Sequence, residues 1–167
     1  CSTVIWIFLV EGLFHTSNRL KYNFRLFGWA IFMELGNFAL NKILSPKGII
    51  VSNNIFLTLA LGLTIINLLE YSKDSQIKLK WGLRILAIVL IPLGLITEGG
   101  IALIPFILIT YFFRGNMKKT IIGYAILSIL LFIMSFQQMD TLEMTINMLM
   151  FNSDFLLILV VPFILLY

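Results

Sequence analysis

Long apolar runs, interrupted at short intervals by charged or turn-forming residues, fill most of this chain. Seven can be marked: Cys1–Phe14, Phe24–Leu40, Asn54–Leu69, Trp81–Ile96, Ile101–Phe113, Thr120–Phe136 and Phe155–Tyr167. They are continuously apolar, whereas a barrel strand would alternate over about ten residues. Hydrocarbon offers the backbone no hydrogen-bond partner, so continuous runs that must pair their own N–H and C=O groups predict helices. The expected fold is all-α, a polytopic transmembrane helical bundle with about seven membrane segments in a single domain over residues 1–167. Several runs fall short of the roughly 20 residues that span a bilayer untilted, so these crossings would draw on flanking residues, local thinning or burial in the bundle.

Punctuation between the runs refines the pattern. Thr97-Glu98-Gly99-Gly100 reads as a tight turn that makes the fourth and fifth segments a helical hairpin. Pro92, Pro105 and Pro162 lie inside apolar runs, where each removes one backbone donor and bends its helix. The stretch Leu142–Phe151, with Glu143 and Asn147, suits a segment in the interface before the last crossing. Asn53, Asn54 and Thr58 open the third segment, where an asparagine before the apolar run suits an N-cap.

Composition agrees with a lipid environment. Sixty per cent of the 167 residues are hydrophobic and 12% are charged, and a mean hydropathy of +1.01 exceeds what one water-soluble core could bury. The net charge of +4 comes from short basic clusters between runs, without the basic stripe and interleaved aromatics of a nucleic-acid surface. No nucleic-acid partner is expected; the bilayer is. If each run crosses once, 10 of the 12 basic residues fall on one side: Arg19, Lys21, Arg25, Lys73, Lys78, Lys80, Arg84, Arg114, Lys118 and Lys119. The other side receives Lys42 and Lys47 with the acidic Glu98, Asp140, Glu143 and Asp154. The basic loops are therefore expected in the cytoplasm. One cysteine, Cys1, excludes an internal disulfide framework and a multi-cysteine metal site, and no metal is expected. Cys1 and Tyr167 read as cut ends, so a fragment of a longer chain is the expectation.

Ionisable side chains at membrane depth cost at least about 2.5 kcal/mol on insertion scales, which asks for a partner or a role. Glu11, His15 and Arg19 follow one another at intervals of four and share a helix face, descending from the apolar run toward the basic end. His15 is a candidate general base or proton carrier oriented by Glu11, with Arg19 holding an anion; a structural ion-pair ladder would have the same spacing. Glu34, Asn37 and Asn41 form a second polar stripe that could face a wet cavity or bond between helices. Arg19 and Arg25 are the cations placed to bind a phosphorylated cofactor, while the remaining cations suit lipid headgroups. Phosphate-cradling glycine loops, paired zinc ligands and a serine elbow are absent from the sequence.

The stretch Leu9-Val10-Glu11-Gly12-Leu13-Phe14-His15-Thr16-Ser17-Asn18-Arg19, followed by Lys21-Tyr22 and Arg25-Leu26-Phe27, resembles the TraX family of bacterial membrane proteins. Asn54-Ile55-Phe56-Leu57-Thr58-Leu59-Ala60-Leu61-Gly62, Gly100-Ile101-Ala102-Leu103-Ile104-Pro105 and Pro162-Phe163-Ile164-Leu165-Leu166-Tyr167 continue the likeness in order and spacing. That family is named for a protein that N-acetylates conjugative pilin and looks related to multi-helix membrane acyltransferases. The resemblance implies an enzyme of the bacterial cytoplasmic membrane that moves an acetyl group from acetyl-coenzyme A to an amine or hydroxyl acceptor, a pilin-like protein or a cell-surface molecule. It carries over to Glu11 and His15 as catalytic residues, Arg19 beside them, and Asn54. Relatives also carry an aspartate–histidine pair in a helix before the start of this chain and a histidine beyond its end, and Thr97-Glu98-Gly99-Gly100 stands where they tend to show aspartate-tyrosine-glycine. Two other classes suit the same residues: a transporter or channel with Glu11 and Glu34 as intramembrane ion sites, and a non-catalytic membrane scaffold.

Overall fold

Asparagine starts three of the helices. Asn18 Oδ1 accepts from the Lys21 N–H at 3.0 Å, Asn54 Oδ1 from the Leu57 N–H at 3.3 Å and Asn116 Oδ1 from the Lys119 N–H at 3.2 Å. Each bond satisfies one of the four N–H groups that a helix start leaves without an internal partner. The helices so opened are α1 (Arg19–Leu44), α2 (Ile55–Lys73) and α5 (Met117–Ser135). Between α2 and α5 lie α3 (Ile77–Ile96) and α4 (Gly100–Phe112), and after α5 come α6 (Leu142–Phe151) and a 3-10 segment, Ser153–Val160. The structure, a computed structural model, describes residues 16, 18–44, 50–52, 54–136, 142–151 and 153–162. No strand occurs among them, and the fold is all-helical as the apolar runs required. The run Cys1–Phe14 lies outside the described residues.

The chain divides into two compact units, one spanning Leu13–Ile104 and the other including Pro105–Tyr167. In the first, α1 and α2 run antiparallel. Arg19 faces Glu70, Asn23 bonds Thr64, and Ala30 and Glu34 bond Asn54, so one sequence falls as the other rises. The turn Asp74–Gln76 then reverses the chain into α3, and Arg84 Nε to Ser72 Oγ (3.4 Å) with Thr58 Oγ1 to Thr97 Oγ1 (2.8 Å) fix a second antiparallel pair. In this unit α2 is therefore flanked on both sides. Ala60, Leu63, Ile65 and Ile66 along it are fully buried. In lipid such packing rests on close van der Waals fit more than on expulsion of water.

Tight turns and small residues close the corners. Gly99 adopts φ +67 in the turn between α3 and α4, a left-handed conformation that glycine takes without strain. The expected hairpin turn at Thr97–Gly100 is thus present. Helices α3 and α4 continue through Pro92 and Pro105 without a break. In the second unit Tyr124 of α5 is buried with its ring stacked on Phe106 at 4.7 Å and its hydroxyl 2.7 Å from Thr110 Oγ1. Ser128 Oγ donates to the carbonyl of Phe155, which ties the 3-10 segment to α5.

Among the described residues, three helices, α2, α3 and α5, are long and apolar enough to cross a membrane. Two of the other marked runs differ from these for local reasons. Helix α4 has 13 residues, about 20 Å of helix against a hydrocarbon core of about 30 Å. Helix α1 has 26 residues but carries Arg25, Glu34, Asn37 and Asn41 along its length. Its exposed Phe24, Trp29, Phe32, Leu35 and Phe38, like the exposed Ile85, Ile88, Val89 and Leu93 of α3, form surfaces suited to lipid.

Candidate functional site

The antiparallel pairing of α1 with α2 gathers polar side chains at both ends of the first unit. At one end Asn54 is the hub. Its Nδ2 donates to Glu34 Oε2 at 3.0 Å and to the Ala30 carbonyl at 3.1 Å, and its backbone N–H donates to Glu98 Oε2. Thr58 Oγ1 lies 2.8 Å from Thr97 Oγ1 and donates to the Glu98 carbonyl at 2.7 Å. A carboxylate from α1 and one from the α3–α4 turn are thus joined through the residue that caps α2. Two turns further along α1, Asn41 takes both backbone groups of Val51, accepting from its N–H at 2.6 Å and donating to its C=O at 2.8 Å. These bonds make the cluster a fastening between elements.

The other end holds a cavity of about 460 Å³. Thr16, Asn18, Arg19 and Leu20 line it from the start of α1, and Asn67, Glu70, Tyr71 and Asp74 from the end of α2. Glu70 is 2.7 Å from Lys73, one turn on, whereas Arg19 stands 3.8 Å from Glu70, beyond hydrogen-bond reach. The guanidinium is therefore held at the wall by charge without being locked in a bidentate fork.

Asn67 sits deeper. It is 4% exposed, and neither Nδ2 nor Oδ1 has a hydrogen-bond partner among the described residues. Asn23 Nδ2, on the facing helix, donates to Thr64 Oγ1 at 2.9 Å, and Asn23 Oδ1 has no partner there either. A buried polar atom left unpaired costs about 1–3 kcal/mol, so an amide with both atoms unpaired is a poor structural element. An apolar residue of the same size would stabilise the helix pair better. The cavity wall thus carries one cation, Arg19, beside the carboxylates of Glu70 and Asp74, with the unpaired Asn67 amide closed off beneath it.

The residues singled out from the sequence fall into three groups. Arg19 lines the cavity, whereas Arg25 is exposed and is not among the residues lining it. Glu34 and Asn54 are brought together at the opposite end, and Asn37 is buried on α1. Glu11 and His15 lie outside the described residues. Asn67, Glu70 and Asp74 did not stand out in the sequence. For Asn67 the signal was present: an amide inside the apolar run Asn54–Leu69 asks for a partner by the same logic as Glu34.

The basic residues of this unit also sort by end. Arg19 and Lys21 at the start of α1, Lys73 at the end of α2, and Lys78 and Lys80 at the start of α3 share the cavity's end, while Lys42 lies near the other. A family model described as TraX protein matches residues 4–167. No curated protein and no solved structure matches the chain.

Proposed function

The chain belongs to the TraX family, and from that premise we propose that it is a membrane acyltransferase that moves an acetyl group from acetyl-coenzyme A to an amine or hydroxyl acceptor. The observation that carries the reading is the cavity at the basic end of the first unit, with Arg19 on its wall. The charge asymmetry of the loops supports a position for that end on the cytoplasmic face of a bacterial inner membrane, where the donor is made.

Arg19 holds a phosphate of the donor through charge-assisted hydrogen bonds. His15, four positions earlier in the sequence, removes the proton from the acceptor as its nitrogen or oxygen attacks the acetyl carbonyl carbon. A C–N or C–O bond forms, the C–S bond breaks, and the coenzyme leaves as the thiol once a proton reaches its sulfur. Glu11, four positions earlier, orients the imidazole. The acceptor is a pilin-like protein or a cell-surface molecule with a free amine or hydroxyl.

Reconstituted whole protein supplied with acetyl-labelled donor tests this reading. Label should appear in a membrane or surface product only when both protein and donor are present. Ion or solute flux through the same vesicles without donor, and no labelled product, would overturn it in favour of a transporter.

A further inference from the structure

An arginine on a membrane-crossing helix asks for an anion, and no carboxylate among the described residues pairs with Arg84 of α3. Its guanidinium is nevertheless held in place. Nε donates to Ser72 Oγ at 3.4 Å, and the group lies 5.9 Å from the centre of the Trp81 ring, within cation–π range. Nη1 and Nη2 make no hydrogen bond to any described residue, so both ends of the fork remain for an outside acceptor. We infer that Arg84, with Lys80 one turn before it, binds the phosphate of an anionic phospholipid whose acyl chains lie along α3. The site is distinct from the cavity between α1 and α2 and does not depend on the acyltransferase reading.

Depth identifies the ligand as a lipid. Arg84 stands seven residues after Ile77, about 10 Å along the axis from the helix start, and helical side chains lean toward the N-terminus. That lean, with the contact to Trp81, lifts the charge to the level of the headgroups. Beside the two cations runs an apolar strip of Ile77, Trp81, Ile85 and Ile88, spaced by four, four and three residues and exposed throughout. It continues down the helix past Arg84, the direction that acyl chains take below a headgroup. Of the three apolar spans α3 is the least buried, so this face is open to lipid. Charge then selects among lipids. Glu70 and Asp74 line the cavity on the α1 side of α2, whereas Ser72 turns toward α3, so those carboxylates belong to the other side of α2. The first eight residues of α3 carry Lys78, Lys80 and Arg84 and no acid. A zwitterionic headgroup would bring its own ammonium against Lys80, and an anionic one brings none. The planar fork of Arg84 takes two phosphate oxygens at once, with Ser72 fixing its orientation.

Trp81 supplies the readout. Every other tryptophan of the whole protein, Trp6 and Trp29 included, is replaced by phenylalanine, and the protein is reconstituted into bilayers of mixed phosphatidylglycerol and phosphatidylcholine. One lipid or the other carries bromine high on its acyl chains, which quenches Trp81 fluorescence on contact. Phosphatidylglycerol should be preferred by about fivefold, the contribution of one cation near an anionic headgroup. Arg84→Gln should bring that ratio to within about twofold of unity. Lys78→Gln removes the same charge from α3 about 120° around the helix from Arg84 and should lower the ratio by less than about twofold. Arg84→Lys keeps the charge without the anchored fork; its ratio should lie between those of wild type and Arg84→Gln, and it serves as the second variant if the first misfolds. Circular dichroism and a melting curve check each reconstituted variant. Equal quenching by the two brominated lipids, or equal losses in Arg84→Gln and Lys78→Gln, would overturn the inference and leave only a general attraction between a basic helix end and an anionic surface. Loss of the preference on adding inorganic phosphate at constant ionic strength would overturn it in favour of a free anion, and absence of quenching by either lipid would do so in favour of a protein covering the strip.

Discussion

Asn54 Nδ2 reaches Glu34 Oε2 at 3.0 Å while its own Oδ1 caps the Leu57 N–H, so one side chain both starts α2 and fastens it to α1. Its backbone N–H adds the bond to Glu98 from the next turn. Asn116 at the start of α5 does the capping alone. Asn116→Ala should cost about 1 kcal/mol, the ordinary loss of a cap. Asn54→Ala should cost about 2–3 kcal/mol, because the Ala30 carbonyl and the Glu34 carboxylate lose a donor as well. Equilibrium unfolding in mixed micelles separates the two, and equal losses would show that the bonds to α1 contribute nothing net.

The apolar runs made most of this architecture legible. Helix or lipid-facing barrel was decided by continuity of hydrophobicity, and the Thr97–Gly100 turn and an asparagine cap on α2 followed from residue types with narrow conformational preferences, the structure assigning that cap to Asn54. Boundaries were harder. Helix α1 begins at Arg19, five residues before the apolar run, because helix formation needs a cap and a hydrogen-bond ladder while hydropathy registers only the lipid-facing stretch. Asn18 and Asn116 carried the same signal as Asn54 and could have been read the same way. The site was legible only in part. Arg19 could be singled out by its spacing from His15, but its partner across the cavity depends on the register of α1 against α2, which no local pattern contains. The stripe Glu34, Asn37, Asn41 shows the converse, since at least Glu34 and Asn41 are used for fastening.

Two glycines differ in what surrounds them, and the difference predicts an order. A Cβ on Gly100 would collide with the backbone carbonyl of Gly94 in the turn between α3 and α4, and backbone cannot swing aside. A Cβ on Gly123 would meet Ile109 Cγ2 at 2.7 Å, the end of a side chain that can change rotamer. Gly100→Ala should therefore destabilise its unit by about 3 kcal/mol or prevent its accumulation, whereas Gly123→Ala should cost about 1 kcal/mol. Folded yield and melting temperature of the two variants provide the measurement. A milder effect at Gly100 than at Gly123 would contradict the backbone contact.

The proposed orientation is open to a direct measurement. With Cys1→Ser as background, cysteines at Ser75, in the turn between α2 and α3, and at Asn116, before α5, should resist membrane-impermeant thiol reagents in intact cells. A cysteine at the exposed Ser52, on the far side of α2, should react. The basic clusters Lys73–Lys80 and Arg114–Lys119 set this outcome through their preference for the cytoplasmic face. Labelling at Ser75 with Ser52 protected would invert the assignment and remove the donor cavity from the compartment that holds acetyl-coenzyme A.

Burial holds the carboxyl of Asp154, just ahead of the last apolar run, above the usual carboxylate range. The folded chain therefore binds this proton more readily than the unfolded chain does. Its ionisation makes no difference to stability below the unfolded value of about 3.9, and stability falls as pH rises from there through the folded value. Asp154→Asn should remove that part of the pH dependence and melt at or above the wild-type temperature at neutral pH. A variant less stable than wild type at pH 7 would show that the carboxylate has a charged partner that outweighs its burial.

The catalytic assignment rests on the ladder Glu11, His15 and Arg19, and it can be separated from a structural role in the whole protein. His15→Gln keeps much of the size and some hydrogen bonding while removing the titratable group. If His15 carries the proton during acyl transfer, turnover should fall by about 10² to 10⁴, the usual contribution of general acid–base catalysis, with coenzyme A binding and the melting temperature unchanged. Glu11→Gln should lower turnover less, because it disturbs only the orientation of the imidazole. The double variant should be little worse than His15→Gln alone, since residues that act as a unit are not additive. Arg19→Ala should show its effect in donor binding, and the loss should shrink as salt screens the phosphate contact. A structural ladder inverts the pattern: the variants lose folded yield or melting temperature, and the molecules that remain folded turn over normally. Specific activity per folded molecule, measured beside a melting curve, distinguishes these outcomes, and normal turnover by folded His15→Gln would end the assignment of His15 as the base.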